Sequence, residues 1–326
     1  MSRVFTSLVG SFPLAASRES IKRALDDQVR LGVDFPVLPQ LRDFVKIYVE
    51  PLVLGGVVEE VSGGYRLKGK TVTEAEVVVP WDLEYGAKLA RERGLRFRLA
   101  FTGPFTMASK IGLPGLSRVE LSRSVLSNPR LTEEVVSYAS RLAELLSREL
   151  RPYMVCIDEP ILSVIVGSRR VLFGYTTDYI RESLDRVLAG FEGVKYRGVH
   201  VCSRLPPLLK EVLLGLKNVE FLDHEFHDIP ENRGFYSREE LEESGKYIAY
   251  GVISSKKVRV EDLEEVYGLI EQAYGDYSDR LLLVKPDCGF GGLRGVLGGR
   301  EYEEIVLKKV EVLVKATRRF NASRRD

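Results

Sequence analysis

The sequence predicts an α/β protein built as a (β/α)8 TIM barrel, with a β-hairpin insertion between its second and third strands. Two observations carry that reading. Short β-branched apolar runs alternate with helix-period stretches along all 326 residues, and eight such runs can be counted, the number a closed barrel needs. The rival architecture, a doubly wound open sheet, would place a glycine-rich phosphate loop after its first strand, and Gly10-Ser11-Phe12-Pro13 is not one. A single domain over residues 1-326, with the insertion at about 51-95, fits the length, because α/β barrels run this long as one unit.

The first run, Val4 to Gly10, is stopped by Ser11-Phe12-Pro13. A helix follows from about Glu19 to Leu31, with Ile21, Ala24, Leu25 and Val29 on one face and Gly32 placed to end it. The second run is Asp34 to Leu38. In the irregular stretch after it, Val57–Val61 and Tyr65–Lys68 flank Ser62-Gly63-Gly64 as a hairpin does, and a helix spans about Leu83 to Arg93. Arg96–Thr102 is the third run. The plainest helix covers Thr132 to Leu150, with Val135, Val136, Ala139, Leu142, Leu145 and Leu146 as its stripe. Runs four to eight are Tyr153–Ile157, Lys195–Val201, Val219–His224, Tyr247–Ile253 and Leu281–Lys285. Helical patterns separate the later ones, at Asp178–Phe191, Pro206–Leu214, Arg259–Tyr274 and Glu301–Ala316. The polar, basic residues Thr317 to Asp326 are expected to fray.

Composition narrows the function. A formal net charge of +1 supplies no long-range field, so nucleic acid and anionic membrane are poor partners. No apolar run approaches the roughly 20 residues of a membrane span. The opening residues lack the pattern of a secretory signal, and three cysteines are too few for a disulfide framework, so a cytoplasmic location is expected.

In a barrel the residues closing each strand face one mouth. His200 and Cys202 close the fifth run, His224 and Glu225 the sixth, and Cys288 follows the eighth. Residues i and i+2 of a strand share a face, so His200 and Cys202 present an imidazole and a thiol side by side. Taken alone, that pair also describes a packed thiol beside a hydrogen-bonded imidazole. With Cys288 and either the carboxylate of Glu225 or the imidazole of His224, it would make a thiolate-rich Zn2+ site suited to deprotonating an incoming thiol.

Five motifs in order resemble the catalytic barrel of the cobalamin-independent methionine synthases: Val9-Gly10-Ser11-Phe12-Pro13, Thr102-Gly103-Pro104, Ile157-Asp158-Glu159-Pro160, His200-Val201-Cys202 and Pro286-Asp287-Cys288-Gly289. They span the chain almost end to end, without the second barrel of the family's long enzymes, so the chain looks like a stand-alone core. The resemblance implies transfer of a methyl group to L-homocysteine. Its zinc ligands fall on His200, Cys202, Glu225 and Cys288, Glu225 being preferred to His224 by the family's spacing. Homocysteine would lie against the backbone of Val9, Gly10 and Ser11, with its ammonium on Asp158. Asp158, Glu159 and Asp287 are the candidate catalytic carboxylates.

Two departures bear on the methyl donor. The family's folate-stacking tryptophan falls near Lys110, whereas the one tryptophan here is Trp81. The family's proton-donating histidine is missing from Gly251-Val252-Ile253-Ser254-Ser255-Lys256, leaving Lys110 or Tyr250 as substitutes. A folate amine leaves only when protonated, whereas a methyl on cobalt needs no acid. The departures therefore favour methylcobalamin or a corrinoid protein over methyltetrahydrofolate. Rival expectations are a zinc alkyltransferase acting on another thiol such as coenzyme M, which has no amino group for Asp158, and a non-catalytic barrel that binds homocysteine or a corrinoid.

Overall fold

A computed structural model describes residues 3–324. Its strands are β1 (Phe5–Thr6), β2 (Val58–Val61), β3 (Gly64–Leu67), β4 (Arg98–Thr102), β5 (Ile111–Gly112), β6 (Met154–Asp158), β7 (Tyr196–Val201), β8 (Phe221–His224), β9 (Tyr247–Ile253) and β10 (Leu281–Pro286). Seven of them form one curled parallel sheet in the order β1-β10-β9-β8-β7-β6-β4. Helices cover its outer face, as parallel sheets require.

The second expected strand is the first correction. Residues 34–38 form isolated bridges, Ser7 with Phe35 and Val37 with Arg98, which span the gap between β1 and β4. Pro36 and Pro39 have no N–H to give a ladder, so only single bonds remain, such as Phe35 N to Thr6 O (3.0 Å) and Leu38 N to Arg98 O (2.9 Å). The sheet is barrel-like, with this stave as its thinnest part.

β2 pairs antiparallel with β3, and β3 pairs parallel with β5, in a separate three-stranded sheet. The third strand comes from beyond β4, outside the 51–95 stretch, and two residues are too few for periodicity to reveal. A helix at Phe44–Leu54, capped by the Asp43 carboxylate on Val45 N and Lys46 N, is also absent from the sequence reading, because it is apolar nearly all round.

Elsewhere the helix signals hold. Ser17 caps Arg18–Leu31, and Gly32 ends it in the left-handed region at φ 84°. Asn128 caps Pro129–Leu150 one turn before the expected start. The chain end is a second correction. The last helix, Leu307–Ser323, continues through the stretch expected to fray. Phe320 is buried against Tyr274, and the Asn321 side chain bonds both the N–H and the carbonyl of Val4. Polar residues on its outer side hid that inner face. Residues 325 and 326, also in that expectation, lie outside the described ones.

Inside the curl, Phe35, Met154, Cys156, Phe221, Ala249 and Leu283 fill the end away from the mouth. Above them register builds a row, because paired residues of neighbouring strands share a face. Asp158 pairs with His200, and His200 with Asp223. At the end of β10 the register shifts at Pro286, and the chain leaves the ladder into the turn carrying Cys288.

Candidate metal centre

His200, Cys202 and Cys288, from two strand ends 86 residues apart, converge. His200 Nε2 lies 2.9 Å from Cys202 Sγ, which lies 3.4 Å from Cys288 Sγ. All three ligand atoms fall within 4.8 Å of one another. A tetrahedral zinc site needs N···S and S···S separations of about 3.5 and 3.8 Å, so small side-chain adjustments suffice. His200 is buried, while both sulfurs are partly exposed to a cavity of about 590 Å³. Val9, Ser11, Asp158 and Lys256 also line that cavity. A larger groove of about 930 Å³ lies on the outer surface, against helix Pro129–Leu150, and holds none of these groups.

The two thiols are pushed in opposite directions. Hydrogen bonds from Cys202 and then His200 hold the Cys288 thiol well below its ordinary range. Cys202 is pushed well up by its bond to Cys288 and by burial. Burial opposes a charge on His200, but the Asp223 carboxylate outweighs it and pushes the imidazole up to about 10. His200 Nδ1 donates to Asp223 Oδ1 at 2.6 Å, which aims Nε2 at the sulfurs.

Glu225 stands beside the cluster without joining its three converging atoms. Its Oε2 accepts from Ser203 N (2.8 Å), and its Oε1 pairs with Lys256 Nζ (2.9 Å). Burial raises its pKa, but Lys256 and the Ser203 N–H together hold it below the ordinary value. Ser203 adopts a left-handed φ of 71°, a strained conformation for a residue with a Cβ, and so brings its N–H to Glu225. His224 is not among the converging groups. Its Nδ1 donates to Val201 O, its Nε2 meets Tyr236 OH at 3.1 Å, and burial lowers it to about 3.

Asp158 reaches the cavity with Oδ1 buried and unpartnered, and burial pushes its carboxyl up to about 7. Val9 and Ser11 line the same space. Gly10 lies behind them, its carbonyl accepting from Gln40 N at 2.9 Å.

Two of the expected catalytic carboxylates have other work. Glu159 turns away from the cavity and caps the short helix Pro104–Ser109, accepting from Phe105 N (2.9 Å), Thr106 N (2.8 Å) and Thr106 Oγ1 (2.6 Å). Any side chain at Gly103 would collide with it. Asp287 accepts from the N–H groups of Phe226, His227 and Asp228, clasping the loop after β8, with its Oδ1 against Gly251. Both carboxylates satisfy backbone donors, which sequence alone does not separate from facing a mouth. Glu159→Ala is expected to lower the unfolding free energy by about 1–3 kcal/mol in denaturant melts while metal uptake stays at the wild-type level. Loss of metal without loss of stability would return Glu159 to the site.

Neither substitute acid reaches the cavity. Tyr250 is buried and stacked on Phe226 at 4.0 Å, and Lys110 lines a small neighbouring pocket with Tyr65. Trp81 opens helix Trp81–Glu92 under the Arg42 guanidinium, 5.7 Å from its ring.

Sequence reasoning missed three residues beneath the cluster: Arg98, Asp223 and Lys285, all fully buried. The signal was available, since each is a charged residue inside an apolar strand run.

Fold and cluster together define a barrel-like α/β protein with a histidine–dithiol centre where its parallel strands end. No protein-family model matches the chain. Proteins named methionine synthase do match: one from Methanocaldococcus jannaschii is 27% identical over 309 residues, covering 88% of this chain and 92% of that protein. Another, from Methanothermobacter thermautotrophicus, is 26% identical over 83% of this chain and 82% of its own length. Among solved structures, a B12-independent methionine synthase from Shewanella sp. W3-18-1 superimposes with a TM-score of 0.69 at 16% identity, covering 99% of both chains. A methyltransferase from Methanosarcina mazei does so at 0.66 and 14%, covering 98% of this chain and 95% of that one. The resemblance drawn from the five motifs stands: this chain is a homologue of archaeal enzymes named methionine synthase.

Proposed function

We propose that this protein is a cytoplasmic, zinc-dependent methyltransferase that converts L-homocysteine to methionine on a single closed barrel. The observation that carries the proposal is the convergence of His200 Nε2, Cys202 Sγ and Cys288 Sγ at one wall of the cavity Asp158 also lines. Glu225 is the fourth ligand in this reading, reached by exchanging its pairing with Lys256. Zinc held there supplies a Lewis acid that binds a thiol and lowers its pKa to near neutral. The protein's own groups orient the substrate. Asp158 Oδ1, unpartnered at the mouth, accepts the substrate ammonium, and the backbone of Val9 to Ser11 flanks the amino-acid end. Held this way, the sulfur would face the open side of the cavity, from which the donor would present its methyl group, and proximity would supply much of the acceleration.

Coenzyme M has no ammonium and would leave Asp158 buried and unpaired, so homocysteine is favoured. The donor in this reading is a methylcorrinoid. Among the described residues, His200 is in the cluster, His224 is bonded to Tyr236, and His227 is paired with Asp228 away from the cavity. None stands at the mouth to protonate a folate amine.

The test is methionine formation from homocysteine with methylcobalamin or methyltetrahydrofolate, before and after chelation. Activity with the corrinoid, lost on chelation and restored by zinc, is expected. Asp158→Asn should raise KM for homocysteine about ten- to a hundredfold without releasing zinc. Full activity in metal-stripped protein rejects the zinc reading. Bound zinc and homocysteine with no transfer from either donor reject catalysis.

A further inference from the structure

Beneath the cluster, β4, β8 and β10 bury Arg98, Asp223 and Lys285 against one another. Asp223 Oδ2 accepts from Arg98 Nη2 at 2.8 Å, while its Oδ1 is shared by Lys285 Nζ (2.8 Å) and His200 Nδ1 (2.6 Å). Lys285 also donates to the carbonyls of His224 and Asp287, both at 2.9 Å, and Asp287 directly precedes Cys288. One carboxylate is therefore tied to His200, and through one ammonium to the backbone that carries Cys288.

Stability does not account for this arrangement. Burying such charges costs about as much as their attraction returns, and a packed apolar set often does as well. Arg98 Nε and Nη1 are buried and unpartnered, a further cost. Two cations share the one Asp223 carboxylate. The other groups facing Arg98 are the Cys156 thiol and Asp158, which belongs to the cavity.

We propose that Asp223, braced by Arg98 and Lys285, is a positioning residue for the metal centre: it keeps the His200 proton on Nδ1 and holds Nε2 and the Cys288 turn at ligand separation. This rests on the zinc reading above. Outer-shell carboxylates of this kind fix a histidine's tautomer and raise its basicity, and their loss weakens metal binding about 10- to 100-fold.

Asp223→Asn keeps the size and an acceptor but removes the charge. Chelator competition should show zinc bound about 10- to 100-fold more weakly, and unchanged affinity overturns the proposal. Nitrogen-15 spectra of histidine-labelled wild-type zinc protein provide a measurement that survives a misfolded variant. They should show His200 with its proton on Nδ1 and zinc on Nε2, and the reverse assignment overturns the proposal. Cys288→Ser separates the two ideas. If it keeps wild-type zinc affinity, the zinc reading has failed. If it releases zinc while Asp223→Asn binds like the wild type, only the positioning role has failed.

Discussion

Cys288→Ser is expected to fold like the wild type and to lose more than about a hundredfold in zinc affinity, beyond the cost of an outer-shell partner. Methyl transfer should vanish with the metal. A serine hydroxyl does not ionise near neutral pH and is a harder donor than a thiolate, so the substitution removes the charge that Cys202 and His200 stabilise on this sulfur. The backbone of the turn is held independently, by Lys285 on the Asp287 carbonyl and by the Asp287 side chain on the loop after β8. Metal content and thermal melts of the purified variant check both halves. A variant that melts like the wild type, binds no zinc and still makes methionine would remove the metal from the reaction.

Lys309→Ala should cost about 3–5 kcal/mol of stability, the largest loss expected from any single change on the last helix. Lys309 Nζ pairs with both oxygens of Glu261, at 2.9 and 2.7 Å, and both residues are buried. Glu261 Oε1 also accepts from Ser254 N. The helix thereby latches the loop after β9 that presents Ser255 and Lys256 to the cavity. Truncation leaves a buried carboxylate with the Ser254 N–H and, at 3.8 Å, the His227 imidazole as its remaining polar neighbours. Replacing the pair together, Lys309→Met with Glu261→Gln, should recover much of the loss, because the penalty comes from the stranded charge. Denaturant unfolding measures both, and a loss under about 1 kcal/mol for Lys309→Ala would show that the pair contributes little.

These residues also mark where the sequence could be read and where it could not. The parallel strands other than the second were legible because each is a short β-branched run with a turn signal behind it. Asp34–Leu38 carried the same signal, but Pro36 within it and Pro39 just after it reduced it to single bridges. The end of the final helix, beyond Ala316, was hidden because Arg318 and Arg319 set its polar character while Phe320 and Asn321 do its packing. At the site, His200, Cys202 and Cys288 were legible because few side chains bind soft metals and all three close strands. Carboxylates are common at strand ends, so Asp158, Glu159 and Asp287 looked alike. Only geometry shows that the first opens to the cavity while the other two satisfy backbone N–H groups. Asp223 stood out as a charge inside an apolar run, but only register sets it beside His200 across 23 residues of sequence.

The thin stave between β1 and β4 has a mechanical consequence. The strand carrying His200 is laced along its length on both sides, whereas the ring is closed at residues 35–37 by a few bonds. Ser11 and Gln40, which border the cavity, meet across that same weak joint. Compliance is thus concentrated on the wall that carries Ser11, and stiffness on the wall that carries His200 and Cys202. Under the proposed function, the amino-acid substrate would meet the compliant wall and the ion the stiff one.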